Sequence, residues 1–147
     1  MFTRIVVGTD GSETAAEAVR QAVDLAKLAG ASLSIVSAYE PVPKRRLQAE
    51  QEGVPADVQY EIGPREDVNL VLDGAAAAAK GEGIEVQTHP VEGSPSDAIL
   101  NVAEETKADL IVVGNKGMTG ARRFVLGSVP NNISHHAPCS VMIVQTT

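Results

Sequence analysis

An open parallel α/β sheet with helices on both faces is the fold class that this 147-residue chain predicts. Three observations point there. Short β-branched runs alternate with segments whose apolar residues recur every three or four positions. The first two runs are joined by a helical stretch of about 20 residues, the length that a right-handed parallel crossover needs. A hydrophobic fraction of 44% with 3% aromatics describes a core of Ala, Val, Ile and Leu, the usual filling of such a domain. The length matches the prior of about 150 residues per domain, so a single domain spanning 1–147 is expected.

Arg4-Ile5-Val6-Val7-Gly8-Thr9 reads as a buried strand, and Asp10-Gly11-Ser12 as a turn and helix cap. Ala15, Val19, Ala22, Val23 and Ala26 draw one helical stripe, stopped at Gly30. Ser32 to Ala38 returns to strand character and completes a βαβ unit. Tyr39 to Gly63, with three prolines and the basic Lys44-Arg45-Arg46, has no sustained period. It reads as a long excursion with a helical turn near Leu47 to Glu52, either a solvated insertion or a binding segment. Pro64 suits the first position of a helix, whose stripe is Val68, Leu72, Ala75 and Ala79 and whose stop is Gly81 and Gly83. Ile84 to Thr88 alternates as a half-exposed edge strand. Ser94-Pro95-Ser96-Asp97 resembles a capping box, opening a helix that buries Ile99, Val102 and Ala103 and ends near Lys107. Ala108 to Gly114 is the most apolar strand and belongs in the middle of the sheet. Ser128 to Ala137 reads as a short helix that tolerates Pro130 in its first turn, and Ser140 to Val144 as the last strand.

Composition excludes several function classes. With 12 Lys plus Arg against 19 Asp plus Glu, the net charge of −7 has the wrong sign for holding a nucleic-acid backbone. No apolar run approaches the roughly 18 residues that span a bilayer, so no membrane partner is expected. Cys139 is the single cysteine, which leaves no internal disulfide and fits a reducing cytoplasm. It reads as a small apolar filler. His135 and His136 are adjacent, so on a helix they point to different faces and read as cations in a last turn rather than as metal ligands. No metal-ligating set is expected.

In a doubly wound sheet, ligands sit beyond the strand carboxyl ends where the winding reverses. Two turns are candidates, Thr9-Asp10-Gly11 and the connection that starts at Gly114. That connection carries Gly114, Gly117, Gly120 and Gly127, whose backbone can approach an anion, and Ser128 then opens a helix. A helix start offers free N–H groups and a partial positive charge to a phosphate. Glycines alone would equally serve as turn-formers, and Asp10 before Gly-Ser would equally shape a turn. Lys116, Arg122 and Arg123 could screen phosphates or a neighbouring subunit's acids, or be ordinary solvated charges, and Met118 and Phe124 read as loop anchors. Neither a P-loop nor a complete G-x-G-x-x-G is present, so any nucleotide is held another way.

The run of Gly114, two residues, Gly117, nine residues, then Gly127-Ser128 resembles the nucleotide motif of the universal stress protein family without a gap. Val6-Val7-Gly8-Thr9-Asp10-Gly11-Ser12 and Pro138-Cys139-Ser140-Val141 are similar to the same family, and the similarity spans nearly the whole chain. The resemblance implies a five-stranded sheet ordered 3-2-1-4-5, of the adenine nucleotide alpha hydrolase-like type. In the ATP-binding branch it implies adenine near Val7 and Ala38, ribose near Asp10, and phosphates on Gly117, Gly127 and Ser128, with Thr9, Gly114, Lys116, Arg122 and Val129 completing the contact set. ATP or another adenine nucleotide, with Mg or Mn as a possible companion, is the expected ligand. A homodimer through the last strand is the expected assembly. Three function classes follow: a nucleotide-dependent switch or a sensor of AMP or cyclic AMP, slow metal-dependent ATP hydrolysis with Asp10 as its only obvious carboxylate, and a nucleotide-independent scaffold. The intact glycine motif argues against the last. A phosphoacceptor receiver domain shares the fold class, but the paired acids after strand one are missing.

Overall fold

The computed structural model describes residues 2–40, 64–115 and 128–146. Five parallel strands, β1 (Arg4–Gly8), β2 (Ser32–Tyr39), β3 (Val86–Glu92), β4 (Leu110–Gly114) and β5 (Ser140–Val144), form one sheet in the order β3-β2-β1-β4-β5. The helices are α1 (Glu13–Ala29), α2 (Pro64–Gly81), α3 (Pro95–Thr106) and α4 (Ser128–His136). Winding proceeds outward from β1 to β2 and β3, then returns to β4 on the other side of β1. The reversal therefore falls between β1 and β4, which pair from Ile5↔Leu110 to Val7↔Val112.

Alternation along the strands sorts the core into two layers. Ile5, Val7, Leu33, Ile35, Leu110 and Val112 meet the apolar stripes of α1 and α2, which supply Val19, Val23, Val68 and Leu72. Val6, Val36, Ile111 and Val113 meet α3 and α4 through Ile99, Val102, Val129 and Ile133. Each such fully buried side chain contributes about 1.5–3 kcal/mol of transfer free energy, which is why the interior strands read as continuous apolar runs. The caps are those the sequence names: the Ser12 hydroxyl accepts from Ala15 N and that of Ser94 from Asp97 N. Lys107 closes α3 in the left-handed region, at φ 55°.

β1 ends at Gly8 and β2 at Tyr39, each one residue from expectation, and the bounds of β3 and β4 differ more. β3 runs from Val86 to Glu92 instead of Ile84 to Thr88, continuing through Pro90. An edge strand pairs on one side only, so a proline without an N–H is tolerated there. β4 begins at Leu110, not Ala108, because Asp109 is used differently. Its carboxylate accepts from Thr3 N, Thr3 Oγ1 and Arg4 N, pinning the start of β1. Burial pushes that carboxyl upward, but the bonds from Thr3 and Arg4 outweigh it and hold it below the usual range. β4 is interior as expected, although β1 occupies the centre. The excursion after Tyr39, with its helical turn at 47–52, lies outside the described residues.

Candidate functional site: the crevice at the β1–β4 reversal

The β1–α1 turn is built by its own polar side chains. Thr9 N donates to Val36 O at 2.9 Å, and the buried Thr9 hydroxyl accepts from Gly11 N at 3.1 Å. Asp10 is exposed; its Oδ1 accepts from Ser12 N at 2.9 Å. The turn-shaping use of this carboxylate is thus real, and Oδ2 has no hydrogen-bond partner among the described residues. Gly11 follows at φ 83°, with α2 so close that an added Cβ would lie 2.8 Å from Val71 Cγ2.

Across the reversal, Gly114 ends β4 and Ser128 is the exposed first residue of α4. The two outer parts of the glycine motif thus stand at a strand carboxyl end and a helix start. Val129 is buried in the α3–α4 layer, so its backbone alone can reach a ligand. Val7 is wholly buried in the α1–α2 layer, whereas half-buried Ala38 packs on the α3–α4 side. The two positions associated with adenine therefore lie on opposite faces of the sheet. Ala38 can present a side chain, while Val7 stands behind the wall. Lys116, Gly117, Arg122 and Gly127, with Met118, Arg123 and Phe124, lie outside the described residues.

A concavity of about 540 Å³ runs between α1 and α2 over Val19, Val23, Leu70, Val71 and Ala75 and reaches Thr9 and Gly11. Its rim charges are committed. Arg20 bridges Glu17 and Asp24, and its hydrogen bond, with that of Gln21, holds the Glu17 carboxyl down to about 2. No group of three or more His, Cys, Asp or Glu converges as a metal site among the described residues. His135 and His136 are exposed in the last turn of α4, their ring centroids 6.5 Å apart. Cys139 packs against the α3–α4 layer, and burial pushes its thiol up.

One residue of this region was not singled out from the sequence. Asn115, directly after β4, is nine-tenths buried and bonds to the chain that leaves β5. A polar residue closing the most apolar run of the chain was the available signal.

The family model of the universal stress protein family matches residues 1–145. This chain belongs to that family. It is 39% identical over 147 residues to the universal stress protein Rv1636 of Mycobacterium tuberculosis, covering 99% of this chain and 98% of the relative. A solved universal stress protein in complex with cAMP superposes with a TM-score of 0.73 at 33% identity, covering 99% and 98%. A universal stress protein family member from Burkholderia pseudomallei gives a TM-score of 0.71 at 27% identity, covering 97% and 95%. The five-stranded order and the two helical layers are those of the family. Among the described residues no helix is long and apolar enough to cross a membrane.

Proposed function

We propose that this universal stress protein binds an adenine nucleotide, ATP foremost, at the β1–β4 reversal and acts as a nucleotide-dependent switch in a stress response. One observation carries the reading: the complete spacing from Gly114 through Gly117 and Gly127 to Ser128 joins the carboxyl end of β4 to the first residue of α4. That is where a helix start can receive phosphates. In this reading Gly117, Gly127 and Ser128 hold the phosphates, with N–H support from Val129, and Lys116 and Arg122 screen their charge. Asp10 offers its second carboxylate oxygen to the ribose, between Thr9 and Gly114. The base lies against Ala38, with Val7 behind. Any Mg²⁺ or Mn²⁺ would ride mainly on the phosphates. A sensor of cyclic AMP or AMP in the same crevice is the second reading, favoured by the cAMP complex of the 33%-identical relative.

We further place the protein in the cytoplasm as a homodimer. Met142 and Ile143 of the edge strand β5 are each 37% exposed, and an apolar strand edge of this kind recruits another strand.

Thermal unfolding with ATP, ADP, AMP, cyclic AMP and GTP tests the reading. Ligand at 100 times Kd stabilises a one-site protein by about 2.7 kcal/mol, a clear rise in Tm. Adenine nucleotides are expected to raise it more than GTP. No shift with any of them, with or without Mg²⁺, would sink the proposal. The small molecule that copurifies, identified by mass, separates ATP from the cyclic AMP alternative.

A further inference from the structure

We propose that the hollow at the amino ends of β1, β2 and β3 binds a small zwitterion whose ammonium and carboxylate stand several bonds apart, the chemistry shared by ω-amino acids and short peptides. The hollow lies at the other end of the strands from the β1–β4 reversal, so the inference is independent of the nucleotide reading.

A space of about 420 Å³ opens between the sheet and the last turn of α3, and Arg4, Ser32, Ser34, Glu85, Gln87 and Glu105 line it. Strand register builds its floor. Arg4 pairs with Ser32, and Leu33 N donates to Glu85 O at 2.9 Å, which sets Glu85 on the far side of Ser32. Two residues further in, Ser34 lies between Val6 and Gln87. Alternation puts Arg4, Ser32 and Ser34 on the face of Val6 and Val36, the side that α3 covers. Neighbouring strands lie about 4.8 Å apart, so the backbones of Arg4 and Glu85 stand roughly 10 Å apart with a serine between them.

Charges of opposite sign thus face one hollow without pairing. Neither Arg4, Glu85 nor Glu105 takes part in an ion pair among the described residues. Arg4 Nη1 donates to the Thr106 carbonyl at 3.4 Å, which keeps the guanidinium on the β1 side. Glu105 lies close enough to His89 to act on its charge, so both carboxylates belong to the β3 side. Ser34 supplies an independent sign of a ligand. It is only 9% exposed, it lines the hollow, and its hydroxyl has no hydrogen-bond partner among the described residues. A buried hydroxyl left unpaired costs stability, and a polar group entering the hollow satisfies it. The charge layout selects that group. The carboxylates favour an ammonium on the β3 side, and the guanidinium favours a carboxylate on the β1 side. A diamine would meet repulsion from Arg4, and a dianion from Glu85 and Glu105.

NMR titration of the isotope-labelled full chain with glycylglycine and γ-aminobutyrate, beside butylamine and butyrate, tests the inference. At least one zwitterion should bind at millimolar concentration, with amide shifts centred on Ser32, Ser34 and Gln87. It should bind about tenfold more tightly than butylamine or butyrate, each of which uses one charged side alone. Glycylglycine alone would assign the hollow to peptides, and γ-aminobutyrate alone to ω-amino acids. Arg4→Gln should erase the advantage over butylamine, an effect that a merely structural role of Arg4 would not produce. Ser34→Ala should weaken the zwitterion several-fold. No shift at these amides with either zwitterion overturns the inference, as does equal binding of butylamine or affinity unchanged in Arg4→Gln. Affinity unchanged in folded Ser34→Ala also overturns it, and should that variant fail to fold, Arg4→Gln decides.

Discussion

Gly11 shows how one residue serves the turn and the core at once. Its φ of 83° is the left-handed region, and Val71 Cγ2 occupies the space a side chain would need. Gly11→Ala should cost about 1–3 kcal/mol, from the backbone penalty and the forced shift of Val71 together. Urea unfolding measures it, and an unchanged midpoint would show that the turn relaxes freely. His89 carries a different liability. It lies half-buried on β3, its Nε2 has no hydrogen-bond partner among the described residues, and burial lowers its pKa from 6.5 while Glu105 on α3 opposes the shift. Because the folded value lies below the unfolded one, the unfolded chain takes up the proton first as pH falls. The contribution is complete above 6.5 and is lost as pH drops through the folded value. Stability measured from pH 7.5 down to 5 should fall less steeply in His89→Gln than in the unmodified chain. Identical slopes would assign the acid sensitivity to other groups.

At the scale of elements, β5 joins core packing to the proposed self-association. Its Val144 is buried in the α1–α2 layer, while Met142 and Ile143 remain exposed on the sheet edge. Met142→Lys should weaken self-association at least tenfold, since a charge on an apolar strand edge blocks edge pairing. Nucleotide affinity should be retained. Sedimentation at micromolar concentration checks this, and a monomer for the unmodified protein would refute the dimer. Elements with their own punctuation were legible before any coordinates: Ser12 and Gly30 bound α1, and Ser94-Pro95 opens α3, because each cap is a local interaction. Boundaries set by distant partners were not. Asp109 belongs to the start of β1 rather than to β4 because it bonds Thr3 and Arg4, more than a hundred positions away. β3 extends past Thr88 because it is an edge, which its composition implied, but its register on β2 was not visible. At the reversal, the places of Asp10 in the β1–α1 turn, Gly114 at the end of β4 and Ser128 at the start of α4 could be named because they follow from local backbone chemistry. Asn115 could not, because its partner is tertiary.

For the whole molecule, the order β3-β2-β1-β4-β5 creates one reversal, and it sets the carboxyl ends of β1 and β4 side by side. A net charge of −7 makes the surface as a whole a poor host for polyanions, so the proposed phosphate affinity would have to come from local N–H groups and the few cations between β4 and α4 in the sequence. Asp10 alone is a thin catalytic apparatus, and turnover of ATP should stay well below the roughly 1 per second at the low end of ordinary enzymes. The most direct test of the central claim is calorimetric titration of the full chain with ATP, cyclic AMP, AMP and GTP, beside Asp10→Ala and Gly127→Val. The expected result is one adenine nucleotide per chain, weaker GTP binding, reduced affinity in Asp10→Ala, and loss of phosphate-dependent affinity in a Gly127→Val protein that still unfolds cooperatively. No binding of any adenine nucleotide to the unmodified chain, with or without Mg²⁺, would contradict it.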